Sequence, residues 1–568
     1  MNDLTSRQRK LVYVGAIVAL LIPIIWLGMP AGAASSGGGA MVGRLAELRQ
    51  DYDLGEATLG DVDPSSATMN LVLLGLRGIA ANALWHNANE QQKTKEWAKL
   101  RASVDSIILL QPHFARVWSF QGWNLAFNVS AVHDRVADRW YWVKEGGKFA
   151  IKGTERNSRS AYLYSDGPGR IVGFKIGKAD EWKSYRAFFQ SDPDVARYGG
   201  RADPGIATVD GEPFGDHYLA ARRWYEKGNA AEEQHEQPFL GTSRMNYRHQ
   251  PARAQINSAE ALQRDGSFGE RTRQTWDEAH YLWTEVFGRE SFRTRLGEVV
   301  LNATPEEIRR IARREQIDVK LKEEIIEKER DDANYHFWRD KCLLEREAET
   351  QAIRGSLYEA KRMFREEPGK LAPTLVRPTP DAARWMFAQM LGNLRAGRMF
   401  APFVHRRILR TVDEDGRIRA VFSPDESSRY AARNRLSPRE MSVLMRVFTA
   451  ERPVPRTEFV ADAEISNAVL ARLEERGLLQ TVSEIHVQLE AAMAGYERLL
   501  ADFPLIANDV ETIEDGLLAV LYWHKVHQLY DRPIPTSGYP LEELWNKSQS
   551  DLPAAQRKFM REMEVEGK

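Results

Sequence analysis

The stretch Val117-Trp118-Ser119-Phe120-Gln121-Gly122-Trp123-Asn124-Leu125-Ala126-Phe127-Asn128-Val129-Ser130 decides the reading of the chain. Laid on one helix, Phe120, Trp123 and Phe127 form a stripe at three- and four-residue spacing. Gln121, Asn124 and Asn128 form a neighbouring stripe, and Trp118, Gly122 and Leu125 a third. So much apolar surface leaves little of the helix for water. The amide stripe is therefore expected to be either a buried network satisfied within itself or the lining of a groove that receives a partner. The network is the first expectation, because such amides tie neighbouring helices together. On the second, Trp118, Gln121, Trp123, Asn124 and Asn128 are the candidate binding residues.

Working outward, Pro112 precedes this helix, Trp118 follows as an early aromatic, and Gly122 is a small residue four positions on. Helix-pair repeats of about 34 residues place an aromatic, a small residue and a closing proline in this register. One repeat earlier stand Leu84 and Ala88, an apolar and a small residue. Near the C-terminus, Ala492, Tyr496 and Pro504 have the spacing of a second helix and its closing proline. In these two places the chain resembles tetratricopeptide-like proteins, which implies an array of helix pairs.

A second resemblance rests on four blocks: Leu73-Leu74-Gly75-Leu76-Arg77-Gly78-Ile79-Ala80, Leu110-Gln111-Pro112, Asn124-Leu125-Ala126-Phe127-Asn128-Val129-Ser130 and Lys175-Ile176-Gly177-Lys178-Ala179-Asp180-Glu181. They resemble a family of large bacterial membrane-anchored proteins that has no assigned activity and is sometimes labelled iron-responsive. The resemblance implies a membrane-tethered body; nothing in these residues supports iron.

At the N-terminus, Arg7, Arg9 and Lys10 precede a nearly charge-free run from Leu11 to Met29. As a helix that run spans about 28 Å, close to the roughly 30 Å of a bilayer's hydrocarbon core. The basic cluster orients the N-terminus to the cytoplasm and the bulk of the chain to the other side. A cleaved signal peptide is the competing reading, since Ala31-Gly32-Ala33 has the small residues of a cleavage site. Both readings export the body.

The expected divisions are a cytoplasmic tip and transmembrane anchor at 1–30, a flexible tether at 31–43 and a tetratricopeptide-like helical domain at 44–145. A loop-rich insertion rich in Gly, Asp, Pro and Ser follows at 146–216, then a region of long charged helices at 217–370. A C-terminal helical domain occupies 371–568. Thr304-Pro305-Glu306-Glu307 is the start of a helix, with threonine as cap. From there to about Arg365 the mixed charges mark solvated helix faces, broken near Asp331 and Asp332. Asp415-Gly416 within Arg410–Phe422 predicts a β-hairpin.

Composition excludes several functions. With 79 Lys plus Arg against 80 Asp plus Glu, the chain carries no global basic field for nucleic acid. The single Cys342 excludes an intrachain disulfide and a cysteine-rich zinc module, and a small buried hydrophobe is the expected role. His524 and His527 share a helix face, but two ligands do not make a metal site. Asp180 and Glu181 are expected in a solvated loop. Residues 436–482, opened by Ser437-Pro438-Arg439-Glu440, resemble a winged helix-turn-helix. Its candidate recognition helix carries Glu464, Glu474 and Glu475 against Arg472 and Arg476, with no basic surplus.

The expected fold is therefore mainly α, a solenoid-like array of helix pairs with Gly/Pro-rich loop insertions and one small β-hairpin, after one N-terminal transmembrane helix. The expected function is a non-catalytic scaffold of the bacterial inner membrane. It would bind a protein or envelope component, with no catalytic residue, no cofactor and no metal. A winged-helix nucleic-acid-binding or regulatory protein is the first alternative and an envelope hydrolase the second.

Overall fold

The structure, a computed structural model, describes residues 77–235, 244–379, 382–383, 410–412, 418–420, 435–450, 452–460, 467–502, 509–530, 532–535, 539–548 and 552–564. The expected anchor and tether lie outside the described residues, as does Pro504. Among the described residues no helix is long and apolar enough to cross a membrane. The fold is mainly helical, with short strands in small ladders. It forms two compact units, one from the described residues of 1–261 and 274–342, the other from those of 262–273 and 343–568.

In the first unit, α1 (Arg77–Lys93) packs on α2 (Trp97–Leu110). Leu100, Val104 and Ile107 recur at helical spacing and bury fully with Ala81 and Ala88, because one apolar stripe per helix is what a pair can hide. α3 (Ala115–Trp123) follows the Pro112 break and packs on α4 (Val136–Arg156). The expected single helix through Ser130 is interrupted. Asn124–Val129 is a π-helical segment, π1, in which Ser130 N–H bonds the carbonyl of Leu125, five residues back. That wider turn rotates the later side chains, so the expected aromatic stripe divides: Phe120 packs against Trp85 at 4.8 Å, whereas Trp123 stacks on Phe127 at 5.5 Å.

The loop-rich insertion expected from 146 to 216 is largely helical. α4 continues through Gly146 and Gly147 because its stripe of Trp140, Val143 and Ala150 is buried, with Gly146 close to the α3 backbone and Gly147 against the Ile206 side chain. After it come Ala161–Tyr164, the π-helical segments π2 (Ser165–Gly169) and π3 (Ile171–Lys175), a short turn Ile176–Lys178 and α5 (Trp182–Gln190). The loop beyond α5 is pinned to α4 by ions. Lys144 Nζ lies 2.9 Å from Asp192, which also accepts the Trp140 indole N–H, and Lys148 lies 2.5 Å from Asp203. Composition alone signals loops here, but these long-range contacts override it.

Thr304 caps the helix Pro305–Glu315 in a reciprocal capping box with Glu307, as the local sequence dictates. A helix ends at Asp332, near the expected break. The charged region is not wholly solvated, however: Lys322 is fully buried against Glu315, and Arg354 is buried on Glu345. Cys342 is buried in an apolar cluster.

In the second unit, the helices Ala348–Glu366, Glu484–Asp502 and Val510–Leu529 share a core that includes Leu357, Met493, Tyr496 and Tyr522. The predicted hairpin is present, with Arg410–Val412 paired antiparallel to Ile418–Ala420. It is not the only ladder. Thr208–Val209 pairs with Glu212–Pro213, Ser291–Thr294 with Gly297–Val300, and Leu375–Pro378 lies between Val454–Pro455 and Leu479–Val482. The last sheet carries the winged-helix-like order, with Pro438–Thr449 capped by Ser437 and the candidate recognition helix at Asn467–Glu475. Arg472 and Arg476 of that segment both lie within 4.0 Å of Glu440, at 3.7 and 3.9 Å.

Candidate functional site

Two of the sequence blocks singled out above meet in the first unit. π1 contributes Phe127, followed by Ser130 and Ala131; π3 contributes Phe174 and Lys175, followed by Lys178, Ala179, Asp180 and Glu181. Together with Arg139 of α4 and Tyr185 of α5 they line an open cleft of about 360 Å³. π-Helical turns recur where a helix is deformed to aim side chains at a site. Here the wider turns present Phe127 and Phe174 to one another, their rings 6.5 Å apart and within 23° of parallel. Trp123 extends the stack behind Phe127. Phe174 is 54% exposed, an unusual position for a phenyl ring.

The charges of the cleft divide into a closed pair and an open cation. Arg139 forms an ion pair with Glu181 and donates its Nε–H to the His133 carbonyl at 2.5 Å. Burial raises the Glu181 carboxyl, but a hydrogen bond from its own backbone N–H and the Arg139 guanidinium bring it below the ordinary glutamate value. Lys175 Nζ sits 5.1 Å from the centre of the Phe127 ring. Among the described residues it has no carboxylate within ion-pair distance. Burial lowers its pKa, outweighing the pull of Glu181 and Asp180. The Tyr185 hydroxyl is fully buried beside the Glu181 carboxylate. Burial and the nearby Glu181 carboxylate raise its pKa, so it stays a donor. Ser130 donates to the Ala126 carbonyl at 2.6 Å.

The candidate residues named from sequence are mostly interior. Trp118 is buried, donates its indole N–H to the Pro112 carbonyl at 2.8 Å and lies on Gly153. Gln121 and Asn124 are buried; Asn124 accepts from the Asn128 amide at 2.9 Å, while the Gln121 side-chain oxygen has no hydrogen-bond partner among the described residues. Trp123 and Asn128 are half-buried beside the cleft wall. Sequence reasoning missed Arg139, Phe174, Lys175 and Tyr185 as a group. The Lys175–Glu181 block is visible in the sequence, but its meeting with Asn124–Ser130 is a tertiary fact. Glu181, expected in a solvated loop, is a half-buried ion-pair partner.

A second cleft, of about 490 Å³, is lined by Arg293, Glu298, Arg314 and Glu315 among others. Arg314 pairs with Glu298, and Glu315 is held by Lys322 and the Glu298 N–H, so its charges largely answer one another. Among the described residues no group of three or more His, Cys, Asp or Glu is placed to hold a metal ion. No protein-family profile, curated protein or solved structure matches this chain.

Proposed function

We propose that the protein is a membrane-tethered, non-catalytic helical scaffold whose first-unit cleft recognises a partner outside the cytoplasm. The observation that carries this reading is the exposed Phe174, stacked on Phe127 beside Lys175, a cation without an ion-pair partner among the described residues. Rings and cations left partly stripped of water mark recognition surfaces. The tether and its direction rest on Arg7, Arg9 and Lys10 before Leu11–Met29.

The finer description as a tetratricopeptide-like array draws support from the α3 and α4 pair. There the early aromatic Trp118 fits against Gly153 and the small residue Gly122 against Ala150, the interlock that repeated helix pairs use. For the winged-helix alternative, the proximity of Arg472 and Arg476 to Glu440 counts against a phosphate-binding face. For the hydrolase alternative, no histidine lines the cleft to serve Ser130 as base.

Two experiments test the proposal. Alkaline phosphatase fused after Gly43 is expected to be active, and an inactive fusion beside an active cytoplasmic reporter would overturn the topology. A photo-crosslinking residue in place of Phe174, in the full chain in its native membrane, is expected to yield a discrete adduct that Lys175→Glu removes. Adducts no different from those obtained at the exposed Met560 of the second unit would sink the recognition role.

A further inference from the structure

The polar inventory of the cleft is unbalanced in one direction. Its lining holds three cationic residues, Arg139, Lys175 and Lys178, against the two carboxylates Asp180 and Glu181. Arg139 and Glu181 satisfy each other. Asp180 is exposed, and Lys178 has an interaction of its own. The remaining valence is the Lys175 ammonium, which leans on the Phe127 ring. A ring face compensates lost hydration only in part, and an anion compensates it better.

Beside this cation stands the apolar part of the lining, the near-parallel pair Phe127 and Phe174. A flat ring stacks on such a pair with little loss of rotamer freedom. The volume, about 360 Å³, is at the small end for ligand sites, enough for one or two rings with a short polar head. It is too small for a folded segment.

We propose that this cleft binds an aromatic carboxylate, the acid held by Lys175 and the ring stacked on Phe127 and Phe174. This rests on the cleft being the recognition site and names the chemistry it recognises. Two sources carry that chemistry: a free aromatic acid, and the C-terminal aromatic residue of a partner chain with its free carboxylate.

The test uses the full chain in detergent and three ¹⁹F probes: 3-(4-fluorophenyl)propanoate, acetyl-Gly-Gly-(4-fluoro-Phe) with a free carboxylate, and the same peptide as its amide. Fluorine line broadening is expected for at least one acid and about tenfold weaker or absent for the amide. Lys175→Met is expected to weaken the acid by about tenfold or more, and Lys175→Arg to retain it within a few-fold. Phe174→Ala is expected to weaken both acids several-fold. Both side chains are partly solvent-exposed, so an unchanged melting temperature certifies that these variants fold. A peptide acid much tighter than the free acid assigns the source to a partner's terminus, and equal or weaker peptide binding assigns it to a small acid. Equal binding of acid and amide, or binding indifferent to Lys175→Met, overturns the proposal. If no probe binds while crosslinking from position 174 still gives its discrete adduct, the ligand class is wrong and the recognition role survives.

Discussion

Gly122 and Gly146 face each other backbone to backbone across the crossing of α3 and α4. A Cβ placed on Gly146 would lie 2.5 Å from the Gly122 carbonyl oxygen and 2.8 Å from the Ala126 nitrogen. Main-chain atoms cannot turn aside as a side chain can, so the helices would have to separate. Gly146→Ala is expected to destabilise by about 1 to 3 kcal/mol despite the helix propensity gained. At Gly147 the corresponding Cβ meets the tip of Ile206 at 2.7 Å, which can rotate, and Gly147→Ala is expected near neutrality. Thermal melts of the two variants decide it; equal melting temperatures would refute the close-crossing argument.

The buried amides are expected to respond asymmetrically. Asn124 is 1% exposed and accepts from Asn128, so Asn124→Ala leaves an unpaired donor and should cost about 1 to 3 kcal/mol. Gln121 already lacks a partner for its side-chain oxygen among the described residues, and Gln121→Met should be neutral or stabilising. If Asn124→Ala changes neither the melting temperature nor crosslinking from position 174, the amide stripe has no structural or recognition role.

Lys144 and Asp192 are 3% and 0% exposed and 2.9 Å apart. Lys144→Met removes the compensating charge from a buried carboxylate and is expected to cost about 3 to 5 kcal/mol. Adding Asp192→Asn should restore part of that loss, since the amide can still accept the Trp140 N–H. A double variant no more stable than Lys144→Met alone would show that burial of the charge is not the source of the cost.

In the second unit, His527 is 6% exposed, with its ring 4.6 Å from that of His486. Burial, followed by the neighbouring His486, His524 and Arg532, holds its pKa down at about 4 against the ordinary 6.5, while Glu490 pulls the other way. A histidine depressed in the folded state binds fewer protons there than in the unfolded chain. The associated stability is therefore present above pH 6.5 and lost as pH falls towards 4. The loss is about 3 kcal/mol. Urea unfolding followed between these limits is expected to show the decline, and His527→Phe to flatten it. An unaltered slope in that variant would assign the acid sensitivity to other groups.

Arg472 and Arg476 lie near Glu440 at the surface of the winged-helix-like segment. The full chain in detergent is expected to show no salt-sensitive retention of duplex DNA at low ionic strength. Retention that disappears on changing both arginines would restore the nucleic-acid reading.

The features legible from neighbouring residues are the local ones. Thr304 with Glu307 and Ser437 with Glu440 make their capping boxes because donor and acceptor lie three residues apart on one chain. Asp415-Gly416 likewise announces its hairpin, and the helical character of most segments follows from spacing alone. Tertiary structure decided the rest. Gly146, Gly147 and Gly153 are loop formers by composition, yet they lie inside a helix, where the close approach of α3 and Ile206 leaves no room for a Cβ. The π-turn at Asn124 parts the aromatic stripe, with Phe120 on Trp85 and Phe127 facing Phe174. The cleft joins segments that are distant along the chain. Which of its cations is left without an ion-pair partner depended on where Arg139 and Glu181 came to rest, and no spacing rule encodes that.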